Sequence, residues 1–490
     1  MPILNLILGD QLFEDVSDLP NAPILMVEDR ELARHTRYHT QKLVLTFSAM
    51  RHFANRMGDR VHYYRLDQDR RFFEVLRCEV EQQGITAIHT FEPADSFFRS
   101  ALIDFASQTD IQLVLHRNPM FLSSSDEWEA YTAKFRRRLM AEFYVWQRRR
   151  LGILVTENGD PVGGRWSLDE ENRLRLPPKL HLPYVGPCIQ DDVTKEVIEI
   201  VSREFSDHPG TPEGFGYPVT HEQALAWLET FVEERLDQFG PYEDAVSQNE
   251  RVIFHSLLSP MMNIGLLTPK LILARVFERH RERPIPMNSL EGFVRQVIGW
   301  REFVRGIDRD YESMSLPKGP FHHTRRLKPC WYEAKTGLPP LDTAIRRAKD
   351  HAYCHHIERL MVIGASMFMC ELDPFQVNDW FMEMFIDAAD WVMRPNVIGM
   401  SQFADGGYFA TKPYLSGSSY ILKMSDYSKG PWCDVWDGLY WRLIDRNRDF
   451  FMKNPRLSVM AKGVDRLETA RKERIFHAAE KFIEETTTHA

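Results

Sequence analysis

MPILNLILGDQLF (residues 1–13) is an apolar run, 3–8, closed by Gly9, Asp10 and Gln11. No basic residue precedes it, and it is cut too soon for an export signal. It therefore reads as a first strand with Gly9 and Asp10 at its carboxyl end. Further short β-type runs at 24–27, 61–66, 87–91 and 112–116 alternate with helical patterns such as 40–56. Strands that alternate with helices imply a parallel, doubly wound α/β sheet, whose ligands sit beyond the carboxyl ends of the strands.

The pattern then changes. A helix rich in aromatic and arginine residues is expected over 123–152, followed by a turn-rich stretch, TENGDPVGGRWSLDEENRLRLPP, that reads as a wrapping linker. Beyond about residue 220, helical periodicity dominates, as over 221–239, 290–306 and 341–368. The expected division is an α/β domain at 1–132, a connecting helix and linker at 133–219, and an all-helical domain at 220–490.

Composition is ordinary for a globular protein, at 43% hydrophobic and 27% charged, and no run is long enough to span a membrane. The six cysteines form no C-x-x-C pair, so reduced thiols and a cytoplasmic location are expected. A formal charge of −9 excludes a generally basic surface. Nucleic-acid binding then needs a local groove of Lys and Arg.

Chemistry concentrates in the helical half, which holds Trp300, Trp331, Tyr332, His355, His356, Trp380, Trp391, Tyr408, Tyr414 and Tyr420. Trp380 and Trp391 are eleven residues apart, which on one continuous helix puts them on nearly one face, to pass electrons or to pack. His255-Ser256-Leu257-Leu258-Ser259, with Asn263 beyond, places hydroxyls and amides at a helix start, as a phosphate cradle or an ordinary cap. Trp300-Arg301-Glu302 sets a cation and a carboxylate beside an indole, or is a surface pair with a core tryptophan. The stretch from Asn396 through Gln402 and Asp405 to Gly407 lets backbone approach a planar ligand, or is a plain Gly-Gly turn.

Taken together, GDQL, FSAMRHF (47–53), PVGGRWSLDEENR (161–173), TKEVI, HSLLS, EGFVRQVIGWREFVRG, AYCHHIERLM, PNVIGMSQFADGG, TKPY and MSDY resemble, in one collinear order, the iron–sulfur bacterial cryptochrome and (6-4) photolyase group. This resemblance to the photolyase/cryptochrome superfamily covers almost the whole chain. It implies an N-terminal α/β antenna domain and a C-terminal helical domain that holds FAD, acting on UV-damaged DNA as a monomer. Ser256, Leu258 and Ser259 match the pyrophosphate cradle, and Asn263, Arg301, Asn396, Gln402 and Asp405 match the remaining flavin contacts.

For light-driven repair of (6-4) photoproducts the resemblance implies His356 as the acid, His355 as its neighbour and Tyr414 as a donor to the lesion. Histidine suits the acid because it titrates near neutrality. Trp380 matches the inner station of an electron relay. Trp331 and Tyr332 stand at the next station, where relatives have the order reversed, and Phe381 replaces a usual tyrosine. Gly9, Asp10 and Thr46 match an antenna pocket for 6,7-dimethyl-8-ribityllumazine, with Leu32 where relatives carry glutamate. A [4Fe-4S] cluster needs four thiolates. Pro340, Ser428 and Pro431 occupy three of their places and Cys433 stands alone near the fourth, so no cluster and no other metal site is expected. Trp432 and Trp436 are expected to pack the shortened loop. A cryptochrome-type photoreceptor and a cyclobutane-dimer photolyase share the flavin motifs and stand as the alternatives. Arg165, Arg325 and Arg326 are candidates for the flanking DNA backbone.

Overall fold

β1 (Ile3–Leu6) and β2 (Ile24–Val27) are almost wholly buried, as expected of continuous apolar strands covered on both faces. β3 (Val61–Tyr64) and β5 (Gln112–His116) are more exposed and form the edges, with β4 (Ala87–Phe91) between β1 and β5. All pairings are parallel, in the order β3-β2-β1-β4-β5. The order reverses direction between β1 and β4, so the crevice of this sheet opens beside Gly9, Asp10 and Asp95. These coordinates are a computed structural model describing residues 2–316 and 319–489.

The helix expected over 123–152 is two helices, Ser125–Lys134 and Met140–Leu151. No Gly or Pro marks the break. Tertiary contacts make it: Arg138 turns in the gap to bond Asp310 at 2.8 Å, and Tyr131 packs edge-on against Phe143. The linker is also less irregular than its composition suggests. It contains a helix, Asp192–Glu204, capped by the Asp191 carboxylate and packed against the helix Thr40–Met57.

The C-terminal half is helical. Three of its helices widen locally to π-type turns, at Arg295–Trp300, Glu358–Gly364 and Pro395–Ser401. Each turn carries a glycine at a close contact. A Cβ on Gly299 would lie 2.8 Å from Met140 Cε; one on Gly364 would strike Ser401 Oγ, and one on Gly399 the Tyr311 hydroxyl.

Trp380 and Trp391 do not share a helix face. Pro374–Met384 ends before Asp387, a new helix begins at Asp390, and the two indoles enter different cores. The break is where Asp387 turns inward to the network described below. Trp432 and Trp436 are buried at 6.3 Å from each other, with their N–H groups donated to Ser428 O and Ser416 O, so both indoles pack inward as expected. Near the end of the described chain, Thr487–Thr488 pairs antiparallel with Arg326–Leu327. Among the described residues no helix is long and apolar enough to cross a membrane.

The helices Trp432–Arg446 and Thr469–Thr486 meet at Gly438, where a Cβ would overlap the carbonyl of Ile475. Because the obstacle is backbone, Gly438→Ala is expected to destabilise the helical domain by about 1–3 kcal/mol, read as a lower urea midpoint.

Candidate functional site

Asp387 sits in the bend between two helices and gathers several predicted site residues. Its carboxylate pairs with Arg359 at 2.9 and 3.2 Å, Ser259 Oγ donates to it at 2.6 Å, and Asn263 Nδ2 donates to its carbonyl at 2.8 Å. Burial pushes the Asp387 carboxyl up, but Arg359 and Ser259 more than offset this and hold it below its ordinary range. Arg301 Nη1 donates to Asn263 Oδ1 at 2.6 Å, and its guanidinium lies over the Trp391 ring at 4.7 Å.

Arg301 Nε and Nη2 are shielded from solvent and have no hydrogen-bond partner among the described residues, and burial pushes the group down to about 10. A shielded guanidinium with free N–H groups is costly unless an anion meets it. The two free N–H groups of Arg301 therefore fit a phosphate oxygen, while Ser259 and Asn263 are held by Asp387. Leu257, in the same loop, adopts φ 54, a conformation rare without glycine, and Ile253 adopts φ 56. Ser256 and Leu258 flank Leu257, the Ser256 hydroxyl accepting from the Leu258 N–H at 3.4 Å. Arg301 and Glu302 are not a surface pair: Glu302 accepts the N–H groups of Leu122 and Ser123 instead.

The other predicted flavin residues lie outside this network. Gln402 donates to Gly364 O and Ser401 Oγ, leaving a buried Oε1 without a partner among the described residues. Asp405 accepts the Tyr311 hydroxyl at 2.6 Å and the N–H groups of Gly407 and Phe409. Asn396 donates to Val392 O within its own helix.

His355 and His356 stand at the start of a helix, on a stretch that leaves the helix Pro339–His351 through Ala352 at φ 52. The His355 side chain is fully enclosed, whereas that of His356 is 47% exposed. His255, read in the sequence only as the first residue of the HSLLS motif, completes a trio: its ring stacks on His355 at 4.4 Å and meets His356 edge-on at 5.5 Å. Glu358 Oε2 is 3.5 Å from His355 Nε2, while its Oε1 takes Arg347 Nη1 at 2.5 Å. Burial pushes the Glu358 carboxyl up to about 7. His356 Nε2 faces Asp244 Oδ1 at 3.7 Å. Arg173 lies 3.9 Å from Asp244 and pairs with Asp169, so the outer imidazole has two carboxylates and a cation beside it.

Trp380 is fully buried, its ring 5.3 Å from Phe381 and 6.4 Å from Tyr332. Its N–H donates to the Trp331 carbonyl, and Trp331 in turn donates to Thr486 O. Trp331 is wholly enclosed. Tyr332 reaches outward under Arg37, which is bound to Glu383 at 2.9 Å. Arg325 is buried and tied to Thr487 and Glu484, and Arg165 pairs with Glu171.

In the sheet crevice, Lys42 donates to Ala388 O at 2.6 Å and lies over Tyr38 at 3.8 Å. Burial pushes the Lys42 ammonium down, against the pull of Asp95, Asp390, Asp387 and Asp10, and pushes Asp10 up to about 6. Gly9 is crowded, because a Cβ there would meet Thr46 Cγ2 and Met50 Sδ at 3.0 Å. Of the residues that motif reading passed over, Arg359 and Asp387 carried one signal: charges set in apolar surroundings, in HIERLM and MFIDAAD.

Comparison with known proteins accounts for this arrangement. The family described as deoxyribodipyrimidine photo-lyase-related protein matches residues 5–217. A (6-4) photolyase of Agrobacterium fabrum is 36% identical over 489 residues, covering 94% of each chain. The fold is similar to that of a class III photolyase from Agrobacterium tumefaciens (TM-score 0.57, 15% identity, 99% and 98% of the two chains). It is equally similar to a cryptochrome from Synechocystis (TM-score 0.58, 12% identity, 99% and 98%). A parallel sheet joined to a helical domain, with identity sustained over nearly the full length, has one reading: the chain belongs to the photolyase/cryptochrome family, whose membership implies binding of FAD and action on DNA.

Proposed function

We propose that this chain uses light to repair (6-4) pyrimidine–pyrimidone photoproducts in DNA, with His356 as the acid. The observation that carries this reading is the imidazole pair at the site mouth: His356 half-exposed beside Asp244, and His355 enclosed behind it with neither ring nitrogen hydrogen-bonded among the described residues. Neither a signalling flavoprotein nor an enzyme that splits cyclobutane dimers needs a proton donor there. The (6-4) lesion does, because a hydroxyl must return from one base to the other.

When bound and reduced, FAD supplies the light-driven electron. Ser256, Leu258, Ser259, Asn263 and Arg301 would hold its diphosphate, the free Nε–H and Nη2–H of Arg301 meeting phosphate oxygens. Gln402 would accept a ring N–H through its unpartnered Oε1. Asp405 and Asn396 shape the loop and helix around it. The damaged dinucleotide leaves the stack to reach the mouth, at lower cost than an intact pair. His356 donates a proton from Nδ1 to the lesion hydroxyl, while its Nε2 faces Asp244 Oδ1 at 3.7 Å. Tyr414 donates its phenolic O–H to the same lesion.

Trp380 is the inner relay station and Tyr332 the outer one, since Trp331 is sealed from solvent. Gly9, Asp10 and Thr46 are assigned to a 6,7-dimethyl-8-ribityllumazine antenna. The remaining assignments are a monomer, without an iron–sulfur cluster, acting on UV-damaged DNA in the cytoplasm.

Blue light on the purified protein with two oligonucleotides, one carrying a (6-4) adduct and one a cyclobutane dimer, tests the reading. Repair of the first alone is expected, and His356→Ala should slow it by about 100-fold or more; repair of the dimer alone, or of neither, overturns the proposal. Arg301→Gln is expected to lower the flavin retained per chain, measured by absorbance at fixed protein. Tyr332→Phe should slow flavin photoreduction more than Trp331→Phe does, and the reverse order would move the outer station to Trp331.

A further inference from the structure

We propose that His39, Gln41 and Tyr217, all outside the helical half, are positioning residues for the imidazole pair. Together they cap the end of the helix Pro339–His351, and so fix where the stretch carrying His355 and His356 starts. The last carbonyls of a helix have no partner within it, and an end left that way frays. Here three successive carbonyls are met from outside. His39 Nε2 lies 2.8 Å from Lys349 O, Gln41 Nε2 donates to Asp350 O at 3.0 Å, and the Tyr217 hydroxyl donates to His351 O at 2.9 Å.

His39 serves two helices at once. Its Nδ1 accepts the Gln41 N–H at 3.1 Å, which caps the start of the helix Thr40–Met57. A neutral imidazole that accepts through one nitrogen donates through the other, so Nε2–H is the donor to Lys349 O. One ring thus joins the start of a helix in the α/β half to the end of a helix in the helical half. The ring is wholly enclosed, and burial pushes it down to about 4, which keeps it neutral near neutrality. The fit is close, because a Cβ on Gly210 would overlap the ring. Gln41 is buried as well, and its amide also donates to Thr211 O at 3.2 Å.

The chain beyond the cap has strain for it to hold. Ala352 turns left-handed at φ 52, a conformation that costs free energy without glycine and persists only where its surroundings impose it. Its carbonyl accepts the Ile386 N–H at 2.9 Å, and Cys354 O accepts Arg359 Nε at 2.8 Å. His355 and His356 follow directly. A released helix end would let Ala352 relax and would turn both rings with it. That His356 is the acid is the reading above; the effect on repair rests on it, and the effect on the backbone does not.

Two variants separate positioning from plain stability. Asparagine is itself a good helix cap but is too short to reach Lys349, so His39→Asn keeps the start of Thr40–Met57 capped and severs the bond between the halves. Tyr217→Phe removes one hydroxyl from a buried ring, and it keeps the test decisive where His39→Asn fails to fold. On the purified full-length protein in the dark, amide hydrogen exchange over 349–356 is expected to rise by about 2- to 10-fold in each, the range for one lost hydrogen bond. Exchange over the helix Trp432–Arg446 and the flavin held per chain should stay as in wild type. Under blue light, turnover of a (6-4) oligonucleotide should fall by a like factor while its affinity in the dark is unchanged, since the lesion is bound but the acid is misplaced. Unchanged exchange over 349–356 in both variants overturns the cap, and raised exchange with undiminished turnover overturns the positioning role. A fall in turnover matched by lost flavin, or by faster exchange throughout the chain, overturns it in favour of a general folding role. A wild-type chain that repairs no (6-4) lesion would refute the repair reading, and the exchange result would still decide the cap.

Discussion

The buried ion pair between Arg359 and Asp387 is the constraint on which the helical half depends. Breaking such a pair strands a charge and costs about 3–5 kcal/mol, more than most single contacts. Here it also sets position. Asp387 bends the chain between two helices, receives Ser259 and Asn263, and through Asn263 orients Arg301. Lys42, from the α/β domain, bonds the adjacent Ala388 carbonyl, so the same bend fastens the two domains together. The placement of Arg301, a domain contact and a helix break thus share one pair of residues.

The histidine cluster follows a different principle. Its inner rings are kept dry, and dryness holds them neutral. The outer ring sits at the solvent boundary, 3.7 Å from the Asp244 carboxylate. Adjacent residues of one type therefore have opposite surroundings because one faces inward and the other outward. Left-handed Ile253, Leu257 and Ala352 lie close to these histidines in the chain, so backbone strain is concentrated where side-chain placement matters most.

Much of this was legible in the residues. All five strands of the sheet fall where apolar runs predicted them, the exposed edges β3 and β5 as well as the buried β1, β2 and β4. The all-helical second half and the packing of Trp432 and Trp436 were legible too. What escaped were features set by distant partners. The break at 135–139 comes from Asp310, far along the chain, and the helix in the linker is held by packing against Thr40–Met57. Trp380 and Trp391 kept helical spacing across a bend made by Asp387, a residue whose partners lie 28 and 128 positions away. His255 was read as a flank of a serine motif, because nothing in linear order brings it to His355.

Each of the three widened turns holds one more residue than a regular helix would need over the same rise. One residue corresponds to about 100° of rotation, so every side chain beyond such a turn is clocked a quarter-circle from where uninterrupted winding would put it. Arg301 follows one turn directly, Gln402 follows another, and Ala365 begins the regular helix after the third. Excising a single residue from 295–300 would leave the hydrophobic content of that helix nearly intact, yet swing the guanidinium away from Asn263. The aim of the pocket is thus stored as a count of residues rather than as any one side chain, and near relatives that differ there by one position would inherit the fold without its focus.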